Sequence, residues 1–352
     1  MTTPVVVTPL TGIPEVREGD DLADVLQVGL DHSGVRLADG DVVVVSSKVA
    51  SKALGLVTHE SDKDEVVRRE SEYVVAERAV GDRVTRVVRA KAGPVMAAAG
   101  VDGSNTGDRG GWLVLPHDPD DVCRRLHEAL LARHGVRVGV VLSDTAGRPW
   151  RVGQVDFAIG AHGLHVLDDL RGGADADGRP LEVTARAVAD ELAAAADLVK
   201  GKVSAVPAAV VRGVAGVLVD DPGERHPGAR DLVRTGPGDW FGYGRVEAVR
   251  AALGVEPGSR EAAAVGIAQA GPESRREALS RAVRTALHGF ESGTADVGQL
   301  SVTLGAESSY ELGRLVARLQ AALWCEWLVG TAGPPAADGL SAVVHVSAAP
   351  LP

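Results

Sequence analysis

The stretch Gly40-Asp-Val-Val-Val-Val-Ser-Ser-Lys-Val-Ala-Ser-Lys52 places four successive valines between polar residues. A β-branched run without polar alternation is typical of a strand that is buried on both faces. The strand is followed by what we predict to be a turn, which carries Lys48 and Lys52. Their ammonium groups and the neighbouring hydroxyls could bind phosphate oxygens, and a solvated loop is the alternative interpretation.

Strands and helices alternate on both sides of this strand. We predict a strand at Val5–Val7, a helix from Asp20 or Asp21 to Leu30, a charged helix over about Asp64–Val80, a strand at Val84–Arg89, a helix opening at Asp118-Pro119, a strand at Val136–Leu142, a helix from about Ala185 to Lys200, and one or two strands within Val206–Val219.

The composition changes after Tyr243. We predict helices at about Val246–Leu253 and Arg260–His288, a strand at Leu300–Leu304, a long helix with a stripe of Leu312, Val316, Leu319, Leu323 and Trp327, and a strand at Ala342–Val346. The sequence therefore predicts one domain over residues 1–245, followed by a helical connector and a small α/β unit over residues 246–352.

Composition excludes several classes of protein. The 352 residues are 45% hydrophobic and carry a formal net charge of -11, with no basic tract of the kind that nucleic-acid binding needs. The N-terminus lacks the pattern of a signal peptide, and no apolar stretch approaches the ~20 residues of a membrane span. Cys123 and Cys325 are expected to be buried thiols. We expect a cytoplasmic protein with neither a nucleic-acid nor a membrane partner.

Any nucleotide must be held without the common phosphate loops. Neither G-x-x-x-x-G-K-[ST] nor G-x-G-x-x-G occurs in the sequence. In Val101-Asp-Gly-Ser-Asn-Thr-Gly107, Asp102 could approach a phosphate-bound cation and Asn105 could bond a phosphate or a base. An ordinary Asx-turn loop is the alternative interpretation of this segment.

A second polar cluster, Leu142-Ser-Asp-Thr-Ala-Gly-Arg-Pro-Trp-Arg151, follows a predicted buried strand. Carboxylate and hydroxyl oxygens at a strand end suit Mg²⁺ or Mn²⁺, and arginine suits phosphate or carboxylate. The alternative is a solvated surface turn. Asp190-Glu191 lies on an alanine-rich helix, and Glu191 is predicted to border the apolar stripe of that helix. An unpaired carboxylate would be costly there, so Glu191 is either a partly buried member of an ion pair or a functional carboxylate.

Eight motifs together resemble the coenzyme F(420):L-glutamate ligase family, up to about Tyr243. They are Thr11-Gly-Ile-Pro-Glu15, Gly19-Asp-Asp-Leu22, the stretch from Gly40 to Lys52, Ala99-Gly-Val-Asp-Gly-Ser-Asn105, Leu115-Pro-His-Asp-Pro-Asp120, Ser143-Asp-Thr-Ala-Gly-Arg-Pro-Trp-Arg151, Val183-Thr-Ala-Arg-Ala-Val-Ala-Asp-Glu-Leu192 and Ala195-Ala-Asp-Leu-Val-Lys-Gly-Lys202. The resemblance implies an α+β fold of two subdomains and a homodimer.

The resemblance also implies a ligand set. It implies GTP as cosubstrate, bound by Ile13, Pro14, Glu15, Val16, Ser47, Lys52 and Asn105. It further implies a divalent metal, Mg²⁺ or Mn²⁺, held by Asp102 and Asp144, and a second metal contacted by Thr145, with a monovalent cation such as K⁺ as a further candidate. The implied reaction adds L-glutamate to F(420)-0 through an acyl phosphate, with Asp144 and Lys52 as catalytic residues.

Three further expectations accompany this interpretation. Arg148 is the third predicted catalytic residue, and chemistry alone suggests that it, and with it Arg151, holds a substrate carboxylate or phosphodiester. Some family members carry a C-terminal flavin domain of ~200 residues, and the roughly 100 residues that follow here are too few, so no flavin is expected. The alternative functions are an amide ligase or phosphotransferase for another carboxylate, and a non-catalytic nucleotide-binding module.

Overall fold

A computed structural model of the chain describes residues 4–104, 106, 110–201, 205–220, 227–234, 236, 239 and 241–349. The chain divides into two compact units: unit 1 is Met1–Glu72 with Arg89–Gly238, and unit 2 is Tyr73–Val88 with Asp239–Pro352. Both units combine helices and strands, which confirms a mixed α and β fold. The two-subdomain arrangement and the domain boundary at residue 245 stay predictions.

Among the described residues up to 212, strands outnumber α-helices. In chain order they are β1 (Val6–Leu10), α1 (Leu22–His32), β2 (Val42–Ser46), α2 (Ser47–Ala53), β3 (Val57–Thr58), α3 (Lys63–Arg69), β4 (Ser71–Val80), β5 (Arg83–Ala90), β6 (Val95–Ala97), β7 (Trp112–Leu113), α4 (Pro119–His134), β8 (Gly139–Arg148), β9 (Arg151–His162), β10 (Asp168–Asp169), β11 (Ala185–Arg186), α5 (Val188–Asp197) and β12 (Ala208–Arg212).

A five-stranded sheet of order β1-β12-β2-β8-β9 forms the centre of unit 1. Only β2 and β8 are parallel, and the other neighbours are antiparallel. The valines of β2 are at most 1% exposed, so the predicted burial on both faces is confirmed. Helix α5 packs against one face through Leu192 and three alanines. Helix α4 lies on the other face, where a Cβ on Gly160 of β9 would meet Pro119.

The parallel pair β2 and β8 determines where polar residues meet. Ser46 lies opposite Ser143 in the register of the two strands. Because both strands run in the same direction, Ser47 and Asp144 follow at the same edge of the sheet. In open sheets this carboxyl edge is where ligands bind.

The pairing of β8 with β9 brings a third polar residue to this edge. Thr145 lies opposite Asp156, and a register shift follows Leu142. No strand was predicted over Arg151–His162. Residues 151–154 are mostly polar or glycine, and the apolar residues after Phe157 are mostly small.

The predicted helix over Asp64–Val80 is wrong beyond Arg69. Residues 71–80 form strand β4, in which Val75, Glu77 and Ala79 are buried and their neighbours are more exposed. This two-residue period belongs to a strand rather than to a helix. Glu77 obscured this pattern in the sequence, because a glutamate is expected to be exposed. In the structure Glu77 is buried, and its carboxylate pairs with Arg86 of β5 at 3.1 Å.

Unit 2 continues after residue 239. Its elements there are α6 (Arg245–Ala252), α7 (Arg260–Val265), α8 (Arg275–Leu287), β13 (Thr294–Val297), β14 (Ser301–Gly305), α9 (Ser309–Cys325), β15 (Leu328–Ala332) and β16 (Ser341–Ala348). The strands form an antiparallel sheet of order β13-β14-β16-β15. Its core combines Val302, Leu304 and Val344 with leucines of α9.

Two predictions for unit 2 are corrected. The single helix over Arg260–His288 is wrong, because the chain leaves the helical conformation at Gly266, whose φ is 105°, and resumes a helix at Arg275. In the stripe of α9, fully buried Leu315 takes the place expected for Val316. Trp327 lies beyond the helix and is 42% exposed.

No helix within the described parts of the chain combines the length and the apolar character that crossing a membrane requires.

Candidate functional site

A cleft of about 250 Å³ opens in unit 1 at the carboxyl edge of β2 and β8. Eight of its lining residues are candidates already named from the sequence, namely Ile13, Pro14, Glu15, Val16, Lys48, Lys52, Asp144 and Thr145. It is also lined by Ser46, Val49, Asp156, Asp197, Lys200, Gly201, Ala205, Val206 and Pro207. Segments far apart in the sequence therefore contribute to one cleft.

The turn after β1 supplies one wall of the cleft. Val16 is 6% exposed and anchors this turn in the core, whereas Glu15 is exposed. The Glu15 carboxylate accepts a hydrogen bond of 2.5 Å from the Lys52 ammonium. The two predicted nucleotide contacts are thus an ion pair across the cleft.

Lys48 and Lys52 lie on helix α2, where a turn was predicted. The helix begins directly after β2, and the four-residue spacing puts both lysines on one face. The Lys48 ammonium lies 2.5 Å from a carboxylate oxygen of Asp102 and 2.5 Å from the Ser104 hydroxyl. Helical spacing therefore presents two ammonium groups to the cleft.

Asp102 is held by its own loop. Its carboxylate accepts a hydrogen bond of 2.7 Å from the Ser104 backbone N–H, which is the Asx-turn that the sequence left open. Burial raises the pKa of Asp102, but the bonds from Lys48 and Ser104 outweigh burial and hold the pKa below its ordinary value. Asp102 therefore carries its charge at neutral pH.

Asp144 has the most perturbed carboxylate of the cleft. Burial, and to a smaller extent the charge of Asp156, raises the pKa of Asp144 to about 6, although bonds from Thr145 and Ser47 and the charge of Lys48 act in the opposite direction. Fully buried Ser47 thus donates its hydroxyl to Asp144. Ionising Asp144 costs free energy unless a cation arrives.

The cleft also contains a buried ion pair that was not predicted from the sequence. The Lys200 ammonium donates to Asp156 at 2.7 Å and to the Ser143 hydroxyl at 2.6 Å, and both ion-pair side chains are at most 6% exposed. The other oxygen of Asp156 accepts from the Thr145 hydroxyl at 2.6 Å. Lys200 could have been singled out from the sequence because it lies in one of the family motifs. Asp156 could not, because it lies in strand β9, which was not predicted.

Two other predicted residues, Glu191 and Arg148, are not among the described residues that line the cleft. Glu191 is exposed, so the prediction that it borders the apolar stripe is wrong. Its neighbour Asp190 is half-buried, and the Asp190 carboxylate accepts a hydrogen bond of 2.9 Å from the Ala158 backbone N–H. Arg148 is exposed at the end of β8. Asn105 lies outside the described residues.

The donor set of the cleft fits a hard divalent cation. Asp144 is a half-buried carboxylate whose ionisation is opposed by Asp156. Asp102, which is not among the described lining residues, pairs with Lys48, whose charge also acts on Asp144. Within the described residues no three His, Cys, Asp or Glu side chains form a ready metal-binding group. Mg²⁺ usually binds through one or two carboxylates together with substrate phosphates, so the oxygen donors present are compatible with such a metal.

A cleft that combines lysines with carboxylates in this way is typical of enzymes that act on anionic, metal-associated substrates. The family model described as F(420)-0:gamma-glutamyl ligase matches residues 12–213, more than half of the chain. The chain therefore belongs to the F(420)-0:gamma-glutamyl ligase family, a family of ligases.

Individual relatives agree with this assignment. A coenzyme F(420):L-glutamate ligase of Archaeoglobus fulgidus is 41% identical over 223 residues, which cover 59% of this chain and 87% of that protein. One from Methanopyrus kandleri is 39% identical over 247 residues, covering 64% and 93%. One from Methanothermobacter thermautotrophicus is 37% identical over 219 residues, covering 57% and 86%.

Proposed function

We propose that this protein is a GTP-dependent ligase that adds L-glutamate to coenzyme F(420)-0. The observation that carries the proposal is the cleft of unit 1, in which the family's residues Glu15, Lys52, Asp144 and Thr145 lie together. Its relatives are named for the ligation of glutamate to coenzyme F(420).

The reaction needs activation of a carboxylate, because a carboxylate does not condense with an amine in water. We propose that a carboxylate oxygen of F(420)-0 attacks the γ-phosphorus of GTP, so that GDP leaves and an acyl phosphate forms. The amino nitrogen of glutamate then attacks the acyl carbon, phosphate leaves, and the amine loses a proton. Both steps concentrate negative charge on phosphoryl oxygens, which is where an enzyme can stabilise the transition state.

The residues of the cleft divide this work. Lys52 extends from α2 toward the turn of Ile13–Val16 and would neutralise phosphate charge there. Asp102, Asp144 and the Thr145 hydroxyl would hold divalent metal, which supplies charge neutralisation at the phosphates when it is bound. The GTP contacts predicted for Ser47 and Asn105 belong to the same proposal. In it Arg148 holds a substrate carboxylate or phosphodiester.

The decisive experiment is mass spectrometry of F(420) species after incubation with GTP, Mn²⁺ and L-glutamate. The proposal expects products heavier by whole glutamyl residues and an equal amount of GDP. Replacing GTP by ATP at subsaturating concentration should lower turnover. Nucleotide hydrolysis that is indifferent to F(420)-0 and glutamate would instead favour a ligase or phosphotransferase for another carboxylate, and nucleotide binding without turnover would favour a binding module.

The assembly and location of the protein are part of the proposal. We expect a cytoplasmic homodimer, as the family resemblance implies. Sedimentation of the full chain at micromolar concentration tests the dimer, and a monomer with full activity would contradict it.

A further inference from the structure

The three lysines among the described lining residues of the cleft are each neutralised by a carboxylate. Lys52 pairs with Glu15, Lys200 pairs with Asp156, and Lys48 pairs with Asp102. Among the described residues that line the cleft, every lysine is therefore already paired, so at least one pair must separate if one of these lysines is to bind phosphate.

Lys48 differs from the other two lysines because it serves two acids. Its ammonium lies 2.5 Å from Asp102, and its charge also acts on the half-buried carboxylate of Asp144. No lysine or arginine within the described parts of the chain forms a salt bridge with Asp144. The ammonium of Lys48 therefore supplies positive charge to the two carboxylates that the proposed metal would use.

We propose that Lys48 is the counter-ion of Asp102 and Asp144 until a divalent cation binds, that the cation displaces its ammonium, and that the released ammonium then binds phosphoryl oxygens of the nucleotide. This inference rests on the proposed function. It assigns Lys48, in addition to Lys52, to the phosphate-binding groups and makes nucleotide binding dependent on prior or simultaneous metal binding.

Simple electrostatics supports the exchange. An ammonium and a dication repel each other, so both cannot occupy the space against one carboxylate oxygen of Asp102. The Lys48 side chain is 17% exposed and has a flexible four-carbon stem, so its ammonium can move within the cleft without movement of α2. The Lys200 side chain is 5% exposed and bonds both Asp156 and Ser143, so its separation would leave buried charges without partners.

The first test uses Mn²⁺ alone and needs neither GTP nor F(420). Lys48→Met removes the competing charge, so isothermal titration should show Mn²⁺ binding roughly three- to tenfold tighter than in the unmodified chain. Lys91→Met is the control, because Lys91 is exposed and is not among the described residues that line the cleft, and its Mn²⁺ affinity should be unchanged. Equal or weaker Mn²⁺ binding by Lys48→Met would overturn the inference.

The second test measures a non-hydrolysable GTP analogue at saturating Mn²⁺. Lys48→Met should now bind the nucleotide at least about tenfold more weakly, because a charge-assisted phosphate contact is lost. Lys48→Arg should keep most of the affinity. Unchanged affinity in Lys48→Met would show that the ammonium never reaches the phosphates, and would refute the second half of the inference.

Two further outcomes separate this inference from the proposed function. If the unmodified chain fails to glutamylate F(420)-0 while Lys48→Met still tightens Mn²⁺ binding, the function is wrong and the counter-ion role stands. If glutamylation occurs and the Mn²⁺ affinities do not differ, only the inference fails. Should Lys48→Met not fold, as judged by its thermal melt, neutral Lys48→Gln replaces it in both titrations.

Discussion

Each unit of the molecule buries carboxylates, but it surrounds them differently. In unit 2 the Glu326 side chain is 2% exposed and accepts hydrogen bonds from Arg250 at 2.9 Å and from Arg281 at 2.5 Å. In unit 1 the carboxylate of Asp144 has hydrogen-bond donors in Ser47 and Thr145, and its near neighbour Asp156 is a second carboxylate. One carboxylate is matched by arginines, whereas the other is opposed by a like charge.

The difference separates a structural charge from a candidate functional one. Burial lowers the pKa of Arg281, but the bonds and charges of Glu273 and Glu326 outweigh burial and raise the pKa. For Asp144 burial dominates and raises the pKa of a carboxyl group, which disfavours its charge. Perturbation of the second kind, at the open edge of a sheet, is typical of ligand and catalytic sites.

The largest expected effect is on catalysis. Asp144→Asn removes an anionic ligand from the cleft, so F(420)-0 glutamylation at saturating Mn²⁺ should fall by about a thousandfold. Exposed Asp296 of unit 2 provides the control, since Asp296→Asn should leave turnover unchanged. An active Asp144→Asn enzyme would mean that the metal assignment is wrong.

The next effect is on the stability of unit 2. Glu326→Gln leaves Arg250 and part of Arg281 buried without a counter-charge, which should lower the free energy of unfolding by about 3 kcal/mol. Glu307→Gln, on an exposed glutamate, should change it by less than ~0.5 kcal/mol. Denaturant unfolding followed by circular dichroism measures the free energy of unfolding of both variants. Equal midpoints for the two variants would contradict a structural role for Glu326.

In unit 1 the same change from an acid to an amide should raise the free energy of unfolding instead of lowering it. The pKa of Asp144 is about 6 in the folded chain and 3.8 for the ordinary group, so the folded state binds more protons in between, and stability falls as pH rises through this window. Metal-free Asp144→Asn should thus be more stable than the unmodified chain at pH 7.5, by on the order of 2–3 kcal/mol at most, with little difference at pH 4. Melting temperatures at the two pH values measure this, and a variant destabilised at pH 7.5 contradicts it.

The smallest effect concerns an arginine that is exposed, unlike Arg250 and Arg281 of unit 2. Arg148→Ala should raise the KM for F(420)-0 roughly three- to fivefold and leave kcat nearly unchanged, because solvent screens the contact of an exposed charge. Arg83→Ala, on an exposed arginine of β5, is the control. A large loss of kcat would show that Arg148 reaches the reacting groups and is catalytic, as its chemistry suggested.

Local features of the chain were predictable from local sequence. The valines of β2 predict a buried strand whatever surrounds them, and Asp21 and Asp118 cap α1 and α4 through bonds to backbone N–H groups two or three residues on. The order of the motifs along the chain identified the family. Seven residues predicted from that resemblance are among the described residues that line the cleft. These signals survive in one sequence because each depends on residues that are close in the chain.

Tertiary structure alone decided the rest. Tyr73–Val88 joins unit 2 although it lies within the predicted first domain, and buried Glu77 is tolerated there because Arg86 and the backbone N–H of Gly258 bond its carboxylate. Asp156 enters the cleft through its pairing with Thr145 across two strands and its bond to Lys200, 44 residues away. Burial of a charge depends on partners from distant segments, and no local period or propensity specifies those partners.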